Sequence, residues 1–165
     1  GFGGIYNVYE LTNQFINSGV SGIHFEDQLA SEKKCGHVGG KVVIPTHEYI
    51  KKLNAARLSS DVLGVPLVII ARTDAMNAKL MTSDFDDRDS KYLSKNRTSD
   101  GYYLIKNNHE MAITKSLNYA EYADVVWCET NTPDLGFAKE FADEIRKSHP
   151  DKILAYNCSD RKSVV

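Results

Sequence analysis

An uninterrupted apolar run, Leu-Val-Ile-Ile-Ala at residues 67–71, most constrains how this chain can fold. A strand that is covered on both faces has such a sequence, as the strands of a parallel sheet do. Gly64-Val65-Pro66 breaks the helix-patterned segment before the run, and the polar Arg72-Thr73-Asp74 follows it. The run therefore predicts a buried parallel strand with chemically capable side chains at its C-terminal end.

Segments with helical spacing alternate with short strand-like segments along most of the chain. Helices are predicted at residues 5–17, 46–63, 110–122 and 133–147, and further strands at 20–25, 124–128 and 153–156. Thr46, which follows Pro45, is the expected N-cap of the second helix. This alternation of helix and strand implies βα units and a parallel sheet.

Residues 75–108 interrupt the alternation with a polar stretch that has few aliphatic side chains. Its charged residues include Asp84, Asp86, Asp87, Arg88, Asp89, Lys91, Lys95 and Arg97. We expect a long surface excursion with broken helical pieces, in which these charges are solvated.

Each predicted strand ends in polar residues, at Glu26-Asp27, Arg72-Thr73-Asp74, Glu129-Thr130, and Asn157 with Ser159. In a TIM-type barrel, the C-terminal ends of all strands lie on one rim, where catalysis occurs. A doubly wound sheet also gathers strand ends, but no Gly-x-Gly-x-x-Gly turn follows a strand here. We therefore predict an α/β fold, a partial (β/α)8 TIM-type barrel with about four βα units. Because a complete barrel needs about 250 residues, residues 1–159 are expected to be the middle segment of a single barrel domain.

The bulk composition excludes several classes of protein. A net charge of -2 over 165 residues argues against a dedicated nucleic-acid binder. No apolar run approaches the length of a membrane span. The 3 cysteines are scattered and do not predict a disulfide framework, so a reducing, cytoplasmic setting is the simplest interpretation.

Residues 33–41, which we call the signature loop, read Lys-Lys-Cys-Gly-His-Val-Gly-Gly-Lys. Glycines let the backbone approach a ligand closely, and the lysines would attract carboxylates and favour the thiolate form of Cys35. His37 adds a group that titrates near neutral pH. This loop suits catalysis on a multiply negative substrate. Two alternatives stay open: half of a zinc site, although the sequence has no second Cys/His pair at metal spacing, and a solvated basic loop without catalytic function.

The signature loop resembles that of the isocitrate lyase family. Further similar motifs are Gly1-Phe2-Gly3-Gly4, Phe25-Glu26-Asp27-Gln28, Ala71-Arg72-Thr73-Asp74-Ala75, Trp127-Cys128-Glu129-Thr130 and Ala155-Tyr156-Asn157-Cys158-Ser159. The resemblance implies Mg2+-dependent retro-aldol cleavage of isocitrate to glyoxylate and succinate, as in the glyoxylate cycle, by a full-length homotetramer. The related 2-methylisocitrate lyases have a similar Lys-Arg-Cys-Gly-His but lack the Gly-Gly-Lys found here at residues 39–41.

The resemblance also assigns functions to single residues. Cys35 is expected to transfer the proton to and from the succinate carbon, and Gly36 and His37 are expected to contact the substrate. The family uses the arginine that matches Arg72 to hold substrate, for which a guanidinium fork is well suited. A structural ion pair of Arg72 with Asp74 or Glu129 is the alternative.

The remaining predicted site residues would bind carboxylates or metal. Glu129 is expected to orient Arg72 or a metal-bound water. Asn157 and Ser159 match the family's carboxylate-binding stretch, for which their amide and hydroxyl donors are suited. Glu26 is the expected Mg2+ ligand, acting through water, with the adjacent Asp27 as the alternative.

Two departures from the family pattern bear on the activity of this chain. Asp160-Arg161-Lys162 replaces the Pro-Ser-Phe of the family, so that a second carboxylate-binding serine is missing and residues 160–165 form a non-matching tail. The family's principal metal-binding aspartate lies upstream of the stretch that matches Gly1. Two other hypotheses therefore accompany the isocitrate lyase assignment. One is an enzyme like 2-methylisocitrate lyase, and the other is an inactive barrel fragment that only binds a ligand or partner chains.

Overall fold

A computed structural model describes residues 3–35 and 38–157 of the chain. Within these ranges the α-helices are α1 Ile5–Asn17, α2 Thr46–Leu63, α3 Asp87–Ser90, α4 Asn108–Tyr119 and α5 Leu135–Ser148. The β-strands are β1 Gly22–Glu26, β2 Lys41–Val43, β3 Val68–Thr73, β4 Ala78–Met81, β5 Leu93–Arg97, β6 Tyr103–Ile105, β7 Val125–Cys128 and β8 Ile153–Tyr156. No helix of the described ranges is both long and apolar enough to cross a bilayer.

The four strands predicted from the sequence form one parallel sheet in the order β1-β3-β7-β8. Ile70 at the centre of β3 lies opposite His24 on β1 and Val125 on β7, and Val125 lies opposite Ile153 on β8. Helix α2 lies in the connection from β1 to β3, α4 precedes β7, and α5 precedes β8. This is an α/β fold built from successive βα units, as the sequence predicts for a partial barrel.

The two faces of the main sheet differ in what covers them. One face is buried against the helices through side chains that include Ile23, Phe25, Ile69, Ala71 and Val126. On the opposite face, which we call the open face, Val68 is 45% exposed and Ile153 is 63% exposed. The prediction that residues 67–71 are covered on both faces is therefore wrong for the described residues. The reason is that a sheet of four strands, flanked by helices on one side, leaves its other side uncovered.

A second sheet occupies much of the polar stretch at residues 75–108, so the prediction of a surface excursion with broken helical pieces is wrong there. Strands β4, β5 and β6 join β2 in the order β2-β4-β6-β5. The buried apolar side chains of these strands include Val43, Ala78, Met81, Leu93 and Tyr103. Each strand is short, and the sequence between β2 and its partner β4 contains the whole of α2 and β3. Local periodicity gives little signal for such strands, because the pairing partner is distant in sequence.

Two acidic residues of this stretch are buried, and they cap helix α2 from a distance. Asp89 accepts hydrogen bonds from the Thr46 backbone N–H at 2.6 Å and from its hydroxyl at 2.8 Å. Asp86 accepts from the His47 N–H at 2.7 Å. The N-cap residue is Pro45, which provides no side-chain cap. The predictions of solvated charges and of capping by Thr46 are therefore wrong at these positions, since Asp86, the N-cap of α3, and Asp89 within α3 supply the acceptors that the first turn of α2 needs.

The same contact holds a fully buried lysine. The Lys115 ammonium donates to the Ile44 carbonyl at 2.9 Å and to the hydroxyls of Thr46 and Tyr119, each at 3.2 Å. It also lies 3.5 Å from the Asp89 carboxylate, and both side chains are fully buried. A buried charge is tolerated only with partners of this kind, so Asp89 serves both the helix terminus and the ammonium.

We predict that Asp89→Ala lowers the free energy of unfolding by about 3 kcal/mol or more, because it leaves a buried ammonium without its counter-charge. Asp87→Ala removes an exposed carboxylate from the same short helix and should change stability by less than about 0.5 kcal/mol. Urea unfolding followed by circular dichroism measures both variants. Equal effects of the two substitutions would contradict the stabilising role of the buried contact.

Candidate active site

Polar side chains from four strand ends meet at one edge of the main sheet. Glu26 ends β1, Arg72 is the penultimate residue of β3, and Glu129 and Asn157 directly follow β7 and β8. Arg72 lies 3.4 Å from Glu26 and 3.9 Å from Glu129, and Asn157 Nδ2 donates to Glu129 Oε1 at 2.9 Å. The structure thus brings together the predicted site residues from all four strand ends that it describes.

Arg72 lies at the centre of this cluster. Its Nε and Nη2 donate to the two carboxylate oxygens of Asp74, each at 3.0 Å, and its guanidinium lies 5.2 Å from the centroid of the Trp127 ring. Nη1 lies 3.9 Å from Glu129 Oε2, beyond hydrogen-bond range. Burial by itself would lower the pKa of Arg72, but Asp74, Glu129 and Glu26 outweigh it and raise that pKa. Arg72 is a permanent cation whose Nε and Nη2 are held by Asp74, and this contact is the structural ion pair that the sequence gives as the alternative to substrate binding.

Asp74 is held by two buried side chains, Lys41 and Asp27. The Lys41 ammonium lies 2.6 Å from Asp74 Oδ1, and both side chains are fully buried. The Asp74 N–H donates to Asp27 Oδ1 at 2.8 Å, while Asp27 Oδ2 accepts from the hydroxyls of Thr73 at 2.7 Å and Tyr119 at 3.0 Å. Both oxygens of Asp27 therefore accept from donors of the chain itself, and its assignment as the alternative metal ligand stays a prediction.

Glu26 is buried at the same edge of the sheet. Its Oε1 lies 2.6 Å from the Lys33 ammonium, and its Oε2 accepts from Gln28 Nε2 at 3.3 Å. Burial by itself would raise the pKa of Glu26, but the Lys33 hydrogen bond and the charge of Arg72 lower it below 4.5. Glu26 is therefore an anion near neutral pH, as a ligand for a cation or for its bound water must be.

Glu129 has one buried oxygen, Oε2, that lacks a hydrogen-bond donor among residues 3–35 and 38–157. Its other oxygen accepts from Asn157. A buried acceptor without a donor is unfavourable by about 1–3 kcal/mol. A ligand that offers a donor at Glu129 Oε2 would remove this penalty.

Cys35 is exposed on the loop that follows β1. The two ammonium groups that the sequence places next to it have other partners. Lys33 pairs with Glu26, and the Lys34 ammonium donates to the Gly40 carbonyl at 3.0 Å. The two lysines thus hold the loop in place through these contacts, and both also carry a positive charge.

Three predicted substrate contacts, Gly36, His37 and Ser159, lie outside the described residues and stay predictions. Within the described ranges, no group of three or more His, Cys, Asp or Glu side chains is arranged to hold a metal ion. The assignment of Glu26 as the metal ligand likewise stays a prediction.

Comparison with known proteins identifies related sequences. A sequence model described as the Isocitrate lyase family matches residues 1–96 and 92–163. An isocitrate lyase of Corynebacterium glutamicum is 56% identical over 159 residues, which are 96% of this chain and 37% of the relative. The chain thus spans little more than a third of the length of this relative.

Solved structures agree with the fold. A 2,3-dimethylmalate lyase, a member of the PEP mutase/isocitrate lyase superfamily, matches with a TM-score of 0.65 at 22% identity, over 98% of this chain and 43% of that one. A phosphonopyruvate hydrolase in complex with oxalate and Mg2+ matches with a TM-score of 0.58 at 21% identity, over 94% and 42% of the two chains. These likenesses support the partial barrel architecture.

We predict that Lys33→Met raises the pKa of Glu26, because the hydrogen bond that opposes burial is lost. Since the folded-state pKa of Glu26 lies below 4.5, its ionisation stabilises the fold above that pH. This stabilisation is lost as the pH falls from the ordinary value of 4.5 through the folded-state value, and in the variant it is smaller because the two pKa values lie closer together.

Lys34→Met is the matched control, because the Lys34 ammonium bonds to the Gly40 carbonyl rather than to Glu26. It should leave the Glu26 titration unchanged. A carbon-13 NMR titration of the Glu26 carboxyl carbon measures both variants, and an unshifted pKa in Lys33→Met would refute the prediction.

Proposed function

This chain belongs to the isocitrate lyase family, and from that membership we propose that the enzyme cleaves isocitrate to glyoxylate and succinate. The observation that carries the proposal is the state of Arg72. It is a charged guanidinium at the C-terminal edge of a parallel sheet, fixed by Asp74 and flanked by Glu26 and Glu129. A rigid cation among side chains from different strands suits recognition of a substrate carboxylate.

The proposed reaction is a retro-aldol cleavage. A base removes the proton of the substrate hydroxyl, and the carbon–carbon bond breaks as the hydroxyl-bearing carbon becomes the aldehyde of glyoxylate. The electron pair of the broken bond passes to a carbon next to a carboxylate, and protonation of that carbon gives succinate. The proton lost from the hydroxyl is balanced by the proton gained at carbon. We assign that second transfer to Cys35, a thiol on an exposed loop.

The other side chains of the site would bind and orient the substrate. Arg72 would hold one carboxylate, while Asn157 and Ser159 would donate hydrogen bonds to another. Gly36 and His37 would contact the substrate from the signature loop. The buried Oε2 of Glu129 would accept a hydrogen bond from the substrate or from a bound water, which would satisfy an oxygen that lacks a donor in the described part of the chain.

The donor set present fits Mg2+, because this ion needs few carboxylates and keeps several of its waters. Glu26 supplies a buried carboxylate whose pKa is lowered, and Glu129 Oε2 supplies an acceptor without a protein donor in the described ranges. We propose that Glu26 holds the ion through water. When bound, Mg2+ supplies polarisation of the substrate hydroxyl. The Mg2+ complex of the related phosphonopyruvate hydrolase supports this choice of metal.

The proposed setting follows from the same family membership. We propose a cytoplasmic enzyme of the glyoxylate cycle that acts as a homotetramer on a small-molecule substrate, without nucleic-acid or membrane partners. The net charge of -2 agrees with the absence of a nucleic-acid partner.

Two alternatives remain distinct from this proposal. A 2-methylisocitrate lyase-like enzyme is disfavoured by Gly39-Gly40-Lys41, whose lysine forms a buried ion pair with Asp74. A fragment that only binds a ligand or partner chains would show no Mg2+-dependent turnover. The experiments below separate both alternatives from the isocitrate lyase.

We predict that a form of the chain extended at both ends produces glyoxylate from isocitrate only when Mg2+ is present. Cys35→Ser should lower kcat by about 100-fold or more, the usual contribution of a positioned acid–base group. Cys128→Ala is the control, because Cys128 is buried among apolar side chains and burial raises the pKa of its thiol. A preference for 2-methylisocitrate would transfer the assignment to that enzyme. A well-folded extended form that cleaves neither acid would favour the binding fragment.

Arg72→Lys should lower kcat/KM by about 100-fold in the same assay, since an ammonium cannot pair with Asp74 in a fork and also hold a substrate carboxylate. Arg57→Lys is the matched control, because Arg57 is a half-buried residue of α2 that pairs with Asp124 and donates to the Leu67 carbonyl, at the start of β3 and away from the site. Steady-state kinetics should show less than about a twofold change for Arg57→Lys. Equal losses in the two variants would remove Arg72 from the substrate site.

A further inference from the structure

Gln28 is a fully buried polar residue of the described structure to which the proposed mechanism assigns no function. Its side-chain amide lies between Glu26 and the start of the signature loop. Nε2 donates to the Lys34 carbonyl at 3.0 Å and to Glu26 Oε2 at 3.3 Å, and Oε1 accepts from the Lys34 N–H at 3.0 Å. The amide thus binds both polar backbone groups of a single residue, much as a neighbouring strand would.

The backbone around Gln28 is itself fixed on the side away from the loop. Gln28 forms an isolated antiparallel bridge with Val43 of β2. The Leu29 N–H donates to the Val42 carbonyl at 2.8 Å, and the Ile44 N–H donates to the Asp27 carbonyl at 2.9 Å. The backbone of Gln28 is therefore held by β2, and its side chain in turn holds Lys34 in place.

The far end of the signature loop is fixed as well. Lys41 forms its fully buried ion pair with Asp74 there. The Lys34 ammonium bonds to the Gly40 carbonyl across the base of the loop, and Gly40 adopts a φ of 75°, which favours glycine. Both ends of the signature loop are therefore fixed, and Cys35 directly follows the end that Gln28 holds.

We propose that Gln28 is a positioning residue for Cys35. By holding the N–H and the carbonyl of Lys34, Gln28 fixes the peptide from which Cys35 extends and so sets the direction of its thiol. Its third hydrogen bond fixes Glu26, so a single side chain determines the separation between the proton-transfer group and the proposed metal ligand. The proposal rests on the proposed function, because it gives Cys35 its assigned role. A displacement of about 1 Å at such a group can reduce a rate by about 100-fold.

The test uses the full-length enzyme with Gln28→Met, which keeps the side-chain length and removes both hydrogen-bonding atoms. We expect kcat to fall by about 10- to 100-fold, while KM changes by less than about threefold because the carboxylate-binding groups are retained. Amide hydrogen exchange should become at least about tenfold faster at Lys34, because its N–H loses the acceptor, while exchange in β3 stays unchanged.

Gln28→Glu is the second variant. It keeps an acceptor for the Lys34 N–H, loses the donor to the Lys34 carbonyl and to Glu26, and places a second carboxylate beside Glu26. Slow exchange at Lys34 should therefore persist while kcat still falls. Gln14→Met is the matched control, because Gln14 is exposed on α1. It should leave kcat and the exchange at Lys34 as in the unaltered enzyme.

Two results would overturn the proposal. The first is a kcat for Gln28→Met within about twofold of the unaltered enzyme, with exchange at Lys34 unchanged. The second is faster exchange throughout β1 and β3 together with lost activity, which would indicate a general structural role. Amide exchange at Lys34 can also be measured in the unaltered enzyme alone. Fast exchange there would refute the inference, because the Lys34 N–H would then lack a stable acceptor. If the unaltered enzyme does not cleave isocitrate, the proposed function fails, whereas the exchange data still report on the Gln28 contact.

Discussion

The buried carboxylate of Asp27 is the constraint on which the rest of the structure depends. Burial raises the pKa of Asp27, and its ionised form requires the donors that surround it. Those donors come from the end of β3, through Thr73 and the Asp74 N–H, and from α4, through Tyr119. One side chain at the end of β1 therefore holds a neighbouring strand end and a helix whose Tyr119 lies 92 residues further along the chain.

The second sheet is tied to the site through the same region. The Ile44 N–H donates to the Asp27 carbonyl just after β2, and Lys41 at the start of β2 neutralises Asp74. Asp74 in turn holds the guanidinium of Arg72. The orientation of the Arg72 guanidinium thus depends on β2, a strand of the small second sheet that lies outside the main sheet.

The sequence predicts those parts of the fold that depend on local periodicity. The bounds of α1, α2 and β8 agree with the expected ranges, because each segment shows its own period and its own terminal signals. The second sheet has no such signal, since β2 has three residues and its partner β4 follows α2 and β3. The true caps of α2 were likewise beyond local reasoning, because Asp89 lies 43 residues after Thr46. At the site, the strand-end rule predicts Glu26, Arg72, Glu129 and Asn157, whereas Lys41 and Gln28 act through contacts that only tertiary structure reveals.

The stacking of Trp127 beneath Arg72 has a spectroscopic consequence. Trp127 is the sole tryptophan of the 165-residue sequence, so the indole emission of this chain arises from one ring. That ring lies 5.2 Å from the Arg72 guanidinium and 5.2 Å from the His24 ring. A nearby charge shifts the energy of the excited indole dipole. Any ligand that neutralises or moves Arg72 would therefore change the wavelength and intensity of the Trp127 fluorescence. The fluorescence of Trp127 therefore follows the state of Arg72 without an added probe.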